Sequence, residues 1–452
     1  MQLLKGLQFL LDRKLRRFFR HRNLPLHKSV MAAPDEKTSP KIFDFWIRNR
    51  AAKSVLYYTI MFLVFLLVIN AVSILSNSPR ATYGLRSIQK TLGKQETPKA
   101  DDAPVESPSV EAEEEEEEDP LVPPENLSRE ERMAWFRIQL PKLDILKPCN
   151  SSQHFHMRIL SFLNKKCSTL FHIIWLSPAK SYGKRELLTL DSFFSVYPEG
   201  CLVILSNTMD SVRGYRILKP FLDRGFKVTA ITPDLPFLFK DTPAESWLEE
   251  IRSGDKDPGN IPLSQNLSNL IRLAMLYRYG GVYMDADMII LKDFTHFRNA
   301  VGAQSVDSVT RKWTRLNGAV MIFDINHPIL IDFMQEFATT FDGNRWGYNG
   351  PYLVSRVIGR VGSSPGYNLM ILPPKAFFPV DWIKIVRLFK KPEDETESKW
   401  MGNRFIELLY DGETYTIHMW NKISKVTEIE QGSVIARLAS ARCVICVNIT
   451  NS

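Results

Sequence analysis

Two aspartates interrupt one of the most apolar runs of the chain, YGGVYMDADMIILKDF, which spans Tyr279 to Phe294. Asp285 and Asp287 are two residues apart, and residues at that spacing on an extended chain point to the same side. Two carboxylates that share a site repel each other unless a cation lies near them. Oxygen ligands of this kind suit Mn²⁺ or Mg²⁺, which also bind phosphate oxygens. The pair therefore predicts a metal site for phosphate chemistry, although a bare Asp-x-Asp is also common in solvated turns.

The elements that must position this pair follow from the apolar periodicity. From Ser168 onward, strand-like runs alternate with helical patterns, which predicts βαβ units in an α/β fold with a largely parallel sheet. A helix predicted over Leu263–Tyr279 stops at a Gly-Gly pair, and the short strand GVYM then leads to Asp285. Ligands bind beyond the carboxyl ends of strands in such sheets, so the pair stands where a ligand is expected. The strands are predicted over Phe171–Leu176, Cys201–Ser206, Phe226–Ile231, Gly281–Met284, Gly318–Asp324, Leu369–Pro374 and Thr414–Trp420.

Two other uses of an Asp-x-Asp pair give different predictions. An EF-hand loop that began at Asp285 would need Gly at its sixth position and Glu at its twelfth, but Ile290 and His296 stand there. That reading is excluded. A phosphohydrolase of the haloacid dehalogenase type, with Asp285 as nucleophile and Asp287 as acid/base, also places this pair after an apolar strand. It stays an alternative hypothesis.

The N-terminal part of the chain predicts a membrane anchor. Val55–Leu75 is uncharged and about 21 residues long, the length that a helix needs to cross a bilayer. No small-residue cleavage site follows, so we interpret residues 54–76 as a retained transmembrane signal anchor. Residues 1–53 carry 13 Lys or Arg against 4 Asp or Glu, a basic tail that the positive-inside rule places in the cytosol. Residues 77–167 are predicted to be a luminal stem, acidic and largely disordered in its first part, and 168–452 the folded domain.

The charge balance argues against nucleic-acid binding. The whole chain has a formal net charge of +8 and a pI of about 9.1, and the basic tail accounts for this excess. All five cysteines lie beyond the anchor, where an oxidising compartment permits disulfides, and the odd number leaves at least one unpaired. Cys443-x-x-Cys446 has no second pair nearby, so we predict a disulfide or free thiols rather than zinc. Four Asn-x-Ser/Thr sequons lie on the same side, at Asn126, Asn150, Asn266 and Asn448, and could carry glycans. Asn266 lies in a predicted helix, and we expect it to be unmodified.

Several motifs in order resemble one family. The stretch LSNLIRLAMLYRYGGVYMDADMIILKDF resembles the donor-site signature of glycosyltransferase family 32, in which Ser-Asp, an Arg three residues later and Gly-Gly-x-Tyr-x-Asp-x-Asp follow one another. Downstream, LNGAVMIF, FDGNRWGYNGPYLVSRV, ILPPKAFFPVDW and IHMWNKIS resemble its α-1,4-glycosyltransferase conserved region. The resemblance covers about Phe171 to Cys446 and is nearest to plant sequences of the lactosylceramide galactosyltransferase-like type. It implies a GT-A fold, a Rossmann-like nucleotide-sugar-binding domain.

The resemblance also implies donor-binding residues. Asn269 and Arg272 are three residues apart, so both project from one face of the predicted helix. The family usually has Asp at the first of these positions, and the asparagine carries no charge, although it still donates and accepts hydrogen bonds. Tyr283 belongs to the Gly-Gly-x-Tyr motif, and Asn317 is expected near the donor sugar. We therefore predict donor contacts from all four residues.

The last predicted strand supplies the remaining candidates. His418 and Trp420 are two apart on it, so they are expected to face one way. By analogy with related GT-A enzymes, His418 would complete the metal shell of Asp285 and Asp287, and Trp420 would contact the diphosphate. The two aspartates are the residues that we expect to be essential for catalysis. No catalytic base is identified.

The function that the resemblance implies is a metal-dependent retaining hexosyltransferase. A type II Golgi-membrane protein with a luminal catalytic domain would transfer a hexose, galactose first, from a UDP-sugar to a glycan or glycolipid and form an α linkage. A non-catalytic glycan-binding relative is a further hypothesis, because a fold does not determine a function and Asn269 departs from the family pattern. The sequence names neither the acceptor nor the oligomeric state.

Overall fold

The computed structural model describes residues 121–146, 152–361, 364, 366–446 and 448–449. All of them belong to one compact unit, residues 109–452. The predicted basic tail, the signal anchor and most of the predicted stem lie outside the described residues. Across the described ranges, no helix is both long enough and apolar enough to cross a bilayer.

Strands and helices alternate along the described chain, as the periodicity predicted. The strands are β1 Leu170–Ile174, β2 Cys201–Leu205, β3 Lys227–Ile231, β4 Gly281–Met284, β5 Met288–Ile290, β6 Ala300–Val306, β7 Trp313–Phe323, β8 Met370–Leu372 and β9 Thr416–His418. The helices are α1 Arg129–Gln139, α2 Ser152–Leu163, α3 Lys184–Val196, α4 Val212–Leu222, α5 Leu235–Phe239, α6 Ala244–Ser253, α7 Leu263–Tyr279, α8 Pro328–Thr340, α9 Pro351–Val361, α10 Pro374–Phe377, α11 Glu395–Tyr410, α12 Asn421–Ser424 and α13 Val434–Ala441.

A seven-stranded sheet with the order β3-β2-β1-β4-β7-β6-β8 forms the centre of the unit. Strands β1 to β4 are parallel where they pair, β7 is antiparallel to both β4 and β6, and β8 is parallel to β6. One reversed strand therefore interrupts an otherwise parallel sheet. The predicted α/β fold is confirmed, and the arrangement is GT-A-like. Strands β5 and β9 pair separately in a small antiparallel sheet beside it.

Strand alternation divides the buried side chains between the two faces of the sheet. In β2, Val203 and Leu205 pack into the cluster that contains α7 and α8, whereas Leu202 and Ile204 pack into the cluster that contains α3 and α4. The first cluster also takes in Phe136 of α1 and several residues of α2. The packed core of the described chain therefore includes a segment that lies ahead of residue 168.

Two strand boundaries differ from the prediction in ways that matter for the site. Strand β7 begins at Trp313 and not at Gly318 as predicted, so Asn317 lies inside the strand and not ahead of it. Its mixed sequence WTRLNG lacks strand periodicity, and pairing with β6 holds it extended, with an irregular register around Gly302. Strand β9 ends at His418, so Trp420 is not part of it.

Four of the five cysteines form two disulfides. Cys167, just ahead of β1, is joined to Cys201 at the start of β2, and Cys443 is joined to Cys446. The second pairing resolves the prediction of a disulfide or free thiols in favour of the disulfide. Cys149 lies outside the described residues.

His172 of β1 forms a hydrogen bond with Gly280, the first of the two glycines after α7. Its burial predicts that the folded state loses stability in acid. The ring is fully buried, and its Nε2 donates a hydrogen bond to the Gly280 carbonyl at 2.8 Å. Burial lowers the pKa of His172 to about 4. The unfolded chain binds this proton below about pH 6.5 and the folded chain does so only near pH 4, so the free energy of unfolding falls as the pH falls through that window.

We expect His172→Gln, which keeps an N–H donor but does not titrate, to remove about 2 kcal/mol of the stability loss between pH 7 and pH 5. Urea unfolding of both proteins at the two pH values measures the difference. Equal losses in the two proteins would show that His172 is not the group that titrates.

Candidate active site

Asp285 and Asp287 lie in the turn between β4 and β5. As predicted, β4 ends at Met284 and the two aspartates stand just past its end. The turn is held by three other parts of the chain. The Asp285 N–H donates to the Ala319 carbonyl of β7 at 2.8 Å, and the Asp287 carbonyl accepts from Met419 N–H at 2.9 Å. The Thr189 hydroxyl of α3 donates to the Ala286 carbonyl at 2.7 Å.

Asp287 forms an ion pair with His418. Its Oδ1 is 3.0 Å from His418 Nε2, and its Oδ2 accepts a hydrogen bond from Asn421 N–H at 2.8 Å. The antiparallel pairing of β5 with β9 sets Met288 opposite His418, which brings the ring to the turn. Burial alone would raise the pKa of Asp287, but the His418 ring holds it below its ordinary value. Burial likewise opposes the charge on the ring, but the Asp287 carboxylate raises the pKa of His418 above its ordinary value.

Asp285 is held by a different pair of residues. Its Oδ1 accepts a hydrogen bond from the Tyr283 hydroxyl at 2.5 Å and lies 3.2 Å from Nη1 of Arg272. The Arg272 guanidinium also donates to the Gly318 carbonyl at 2.8 Å and stacks 4.2 Å from the centre of the Tyr283 ring. Tyr283 and Arg272 are both buried, whereas the Asp285 side chain is 28% exposed. The buried pair thus supports a carboxylate that remains open to a ligand.

Asn269 lies one helical turn before Arg272 and is buried against the loop that precedes α9. A Cβ atom on Gly350 would lie 2.8 Å from the Asn269 Oδ1, so a larger residue here would displace the Asn269 side chain. The same loop is tied to α7 by a hydrogen bond of 3.0 Å from Asn349 Nδ2 to Asn266 Oδ1. Asn269 and Arg272 line a small cleft there, together with Gly318, Asn349, Gly350 and Pro351.

The polar side-chain atoms of Asn317 and Trp420, two predicted donor contacts, form hydrogen bonds with other residues of the protein. Asn317 is buried, and its side chain donates to Gln304 Oε1 at 3.0 Å and accepts from Ala319 N–H at 2.9 Å. Trp420 has a left-handed backbone, with φ 55°, which turns the chain out of β9 so that Asn421 N–H reaches Asp287. Its indole N–H donates to the Val380 carbonyl at 3.0 Å, and its ring centre lies 4.0 Å from that of His418.

The structure adds residues that the sequence reasoning missed. Asn421 directly follows the His-x-Trp motif, and this position in the sequence could have marked it as a site residue. Its side chain accepts from Arg185 Nη1 at 3.0 Å and donates to Glu186 Oε1 at 3.2 Å, both at the start of α3. Burial raises the pKa of the Glu186 carboxyl, and the nearby Asp287 carboxylate raises it further. No local pattern marks Arg185 or Glu186, because only the tertiary fold brings α3 to the Asp pair.

A divalent cation fits the three side chains that the fold brings together. One ligand atom from each of Asp285, Asp287 and His418 lies within 4.8 Å of the others. The Nε2 of His418 lies 3.0 Å from Asp287 Oδ1, so this is the ring nitrogen that would bind a cation shared with the carboxylates when it carries no proton. Two carboxylates and an imidazole are a donor set for Mn²⁺ or Mg²⁺.

Comparison with known proteins decides the family. Residues 183–307 match the glycosyltransferase sugar-binding region containing the DXD motif, and residues 322–450 match the alpha 1,4-glycosyltransferase conserved region. The lactosylceramide 4-alpha-galactosyltransferase of Mus musculus is 31% identical over 271 residues, which are 57% of this chain and 69% of that protein. The chain belongs to this glycosyltransferase family.

Other relatives and one solved structure extend the comparison. An uncharacterized Arabidopsis thaliana protein is 31% identical to the glycosyltransferase over 297 residues, which are 64% of this chain but 44% of that protein. The human alpha-1,4-N-acetylglucosaminyltransferase is 25% identical over 270 residues, 56% of this chain and 72% of that protein. The PaToxG glycosyltransferase structure aligns with a TM-score of 0.33 at 18% identity and covers 52% of this chain and 81% of that chain.

The two matched regions of the glycosyltransferase divide the site between them. Arg272, Asp285 and Asp287 lie in the sugar-binding region, whereas His418 and Asn421 lie in the α-1,4 region. The Asp287–His418 ion pair, which joins residues 131 positions apart, is therefore one of the contacts between the two regions. The site is complete only when both regions are folded against each other.

Proposed function

We propose that this glycosyltransferase transfers a hexose, galactose first, from a UDP-sugar to a glycan or glycolipid acceptor, with retention and an α linkage. The observation that carries the proposal is the convergence of Asp285, Asp287 and His418 beside the buried guanidinium of Arg272. The names of the mouse and human relatives, one a galactosyltransferase and one an N-acetylglucosaminyltransferase, support sugar transfer of the α-1,4 type. Because the two relatives are named for different sugars, galactose and N-acetylglucosamine must be compared as donors by experiment.

The chemistry depends on stabilising a leaving diphosphate. Asp285, Asp287 and His418 would hold Mn²⁺ or Mg²⁺, and such an ion supplies a Lewis acid for the charge that develops on the leaving group. The chain itself orients these ligands. Tyr283 and Arg272 fix the Asp285 carboxylate, and Asn421 N–H fixes the second oxygen of Asp287. Preformed bonds of this kind mean that little reorganisation is needed when the donor binds.

The two alternative functions, a phosphohydrolase and a glycan-binding protein, have less support than sugar transfer. Both matched regions are glycosyltransferase regions, and nothing in the geometry favours a haloacid-dehalogenase-like phosphohydrolase over them. A non-catalytic glycan-binding relative would have to keep a converging acid pair and imidazole without using them. Asn269 stands beside Arg272 in the cleft, so an uncharged side chain at this place is part of the proposed donor site.

We also propose a location. The apolar run Val55–Leu75 and the basic tail ahead of it support a single-pass type II protein of the Golgi membrane with its catalytic domain in the lumen. In that compartment, disulfides such as Cys167–Cys201 are stable. The two disulfides thus support the proposed location in an oxidising compartment.

The test is a donor screen with the detergent-solubilised full chain. UDP-galactose, UDP-N-acetylglucosamine, UDP-glucose and GDP-mannose are each incubated with Mn²⁺, with Mg²⁺ or with EDTA, and nucleoside diphosphate release is measured. We expect UDP release from UDP-galactose to exceed GDP release from GDP-mannose by about tenfold or more, and EDTA to abolish it. Release that is unchanged by EDTA would contradict the metal, and no release from any donor would favour the glycan-binding relative.

A further inference from the structure

The segment that follows β9 and the loop ahead of α9 meet in a cation–π contact. The Lys422 ammonium of α12 lies 4.2 Å from the ring centre of Trp346, which belongs to the loop ahead of α9. The Trp346 side chain is 47% exposed, and Lys422 is exposed as well. The contact therefore stands at the solvent-facing rim and not in the core.

Each loop is anchored in the site a few residues away from this contact. On one side, Asn421, the residue before Lys422, donates its N–H to Asp287. On the other side, Gly350 abuts Asn269, one helical turn from Arg272, and Arg272 contacts Asp285. Lys422 and Trp346 are therefore each linked to the site, Lys422 to Asp287 through Asn421 and Trp346 to Asp285 through the loop that contacts α7.

The basic side chains around the site differ in their partners. Arg272 donates to Gly318 and Ser268 and pairs with Asp285, while Arg185 donates to Asn421, Ser424 and Thr427. Within the described part of the chain, Lys422 forms no salt bridge with a carboxylate, and its ammonium lies over the Trp346 ring. A cation on an exposed ring is held weakly, and a phosphate group is a much stronger partner for an ammonium.

We propose that Lys422 binds the diphosphate of the nucleotide-sugar donor, and that Trp346 holds the ammonium at the rim of the site until the donor arrives. This proposal rests on the proposed function, because it names a further donor contact of the same site. Lys422 would act as a point charge on a flexible stem, which can move from the ring to a phosphate without a change in the backbone. Asp287, through Asn421, sets the place from which the stem starts.

Isothermal titration of the full chain with UDP and with uridine, both in Mn²⁺, tests this inference. Lys422→Met is expected to weaken UDP affinity at least about tenfold and to leave uridine affinity unchanged, because only UDP carries the diphosphate. Lys422→Arg should recover most of the affinity. The matched control is Lys425→Met, which changes an exposed lysine on the next turn of the same segment and should bind UDP as the wild type does.

Trp346→Ala separates the two parts of the proposal. Because the ring competes with the phosphate for the ammonium, removing it should leave UDP affinity equal or slightly higher. A loss equal to that of Lys422→Met would show that the ring itself binds the donor and would overturn the holding role. Wild-type UDP affinity in Lys422→Met would overturn the whole inference, whereas a wild-type protein that binds neither UDP nor uridine would instead overturn the proposed function.

Discussion

Asp287→Asn is expected to lower nucleotide release from the donor sugar by at least about 100-fold, which corresponds to about 2.7 kcal/mol of transition-state stabilisation. The substitution keeps the shape of the side chain but removes the charge that pairs with His418 and that a cation requires. Steady-state release of UDP, measured at saturating Mn²⁺, gives the loss. Thermal unfolding must accompany it, because the pKa of Asp287 lies below its ordinary value and its charged form therefore stabilises the fold at neutral pH.

Asp293→Asn is the matched control for this substitution. Asp293 lies six residues further on and caps a local turn through Thr295 N–H and the Thr295 hydroxyl, at 2.8 and 2.7 Å. It has no contact with the Asp pair or with His418 among its hydrogen bonds in the described chain. We expect its nucleotide release to stay within about twofold of the wild type. Comparable losses in the two variants would mean that the cation does not bind at Asp287.

Arg272→Ala should have the largest combined effect on stability and donor binding. The change removes hydrogen bonds to Ser268 and Gly318 and leaves Asp285 without its cationic partner. We expect a loss of about 3 kcal/mol in the free energy of unfolding, because the change breaks the hydrogen-bond network of a buried guanidinium. Arg272→Lys should recover only part of it, because an ammonium cannot reproduce the planar set of donors. Urea unfolding and UDP titration measure the two effects.

Arg278→Ala on the same helix distinguishes donor binding from stability. The Arg278 guanidinium stacks on Phe237 at 5.0 Å and donates to the carbonyls of Leu238 and Lys240, so its removal costs similar packing. It lies at the far end of α7 from the cleft. UDP affinity should therefore fall in Arg272→Ala and not in Arg278→Ala. Equal affinities in the two variants would assign Arg272 a purely structural role.

Some elements could be predicted to the residue because local signals agreed. The helix Leu263–Tyr279 and the strand Gly281–Met284 have the predicted bounds, since the apolar pattern ends at two glycines that both adopt positive φ. Strand β5 was missed because three residues carry no periodicity of their own and become a strand only by pairing with β9. Strand β6 was missed as well, because AVGAQSV shows no clear alternation and pairs irregularly with β7.

The candidate site shows the same division. The sequence alone indicated Asp285, Asp287 and the helix carrying Asn269 and Arg272, because acids after an apolar strand and polar residues at helical spacing are visible locally. It also placed His418 near the acids through the family resemblance. It wrongly extended the last strand to Trp420, whose left-handed backbone ends the pairing.

The sequence by itself determined three features: an acid pair at a strand end, a helix that leads to this pair, and the family to which the chain belongs. Only the tertiary structure decided which partners these groups have. It turned Asp285 toward Tyr283 and Arg272, joined Asp287 to His418 and Asn421, and set Lys422 against Trp346. The physical reason is that periodicity encodes which face of an element is buried, whereas contacts between different elements depend on the order in which strands join a sheet.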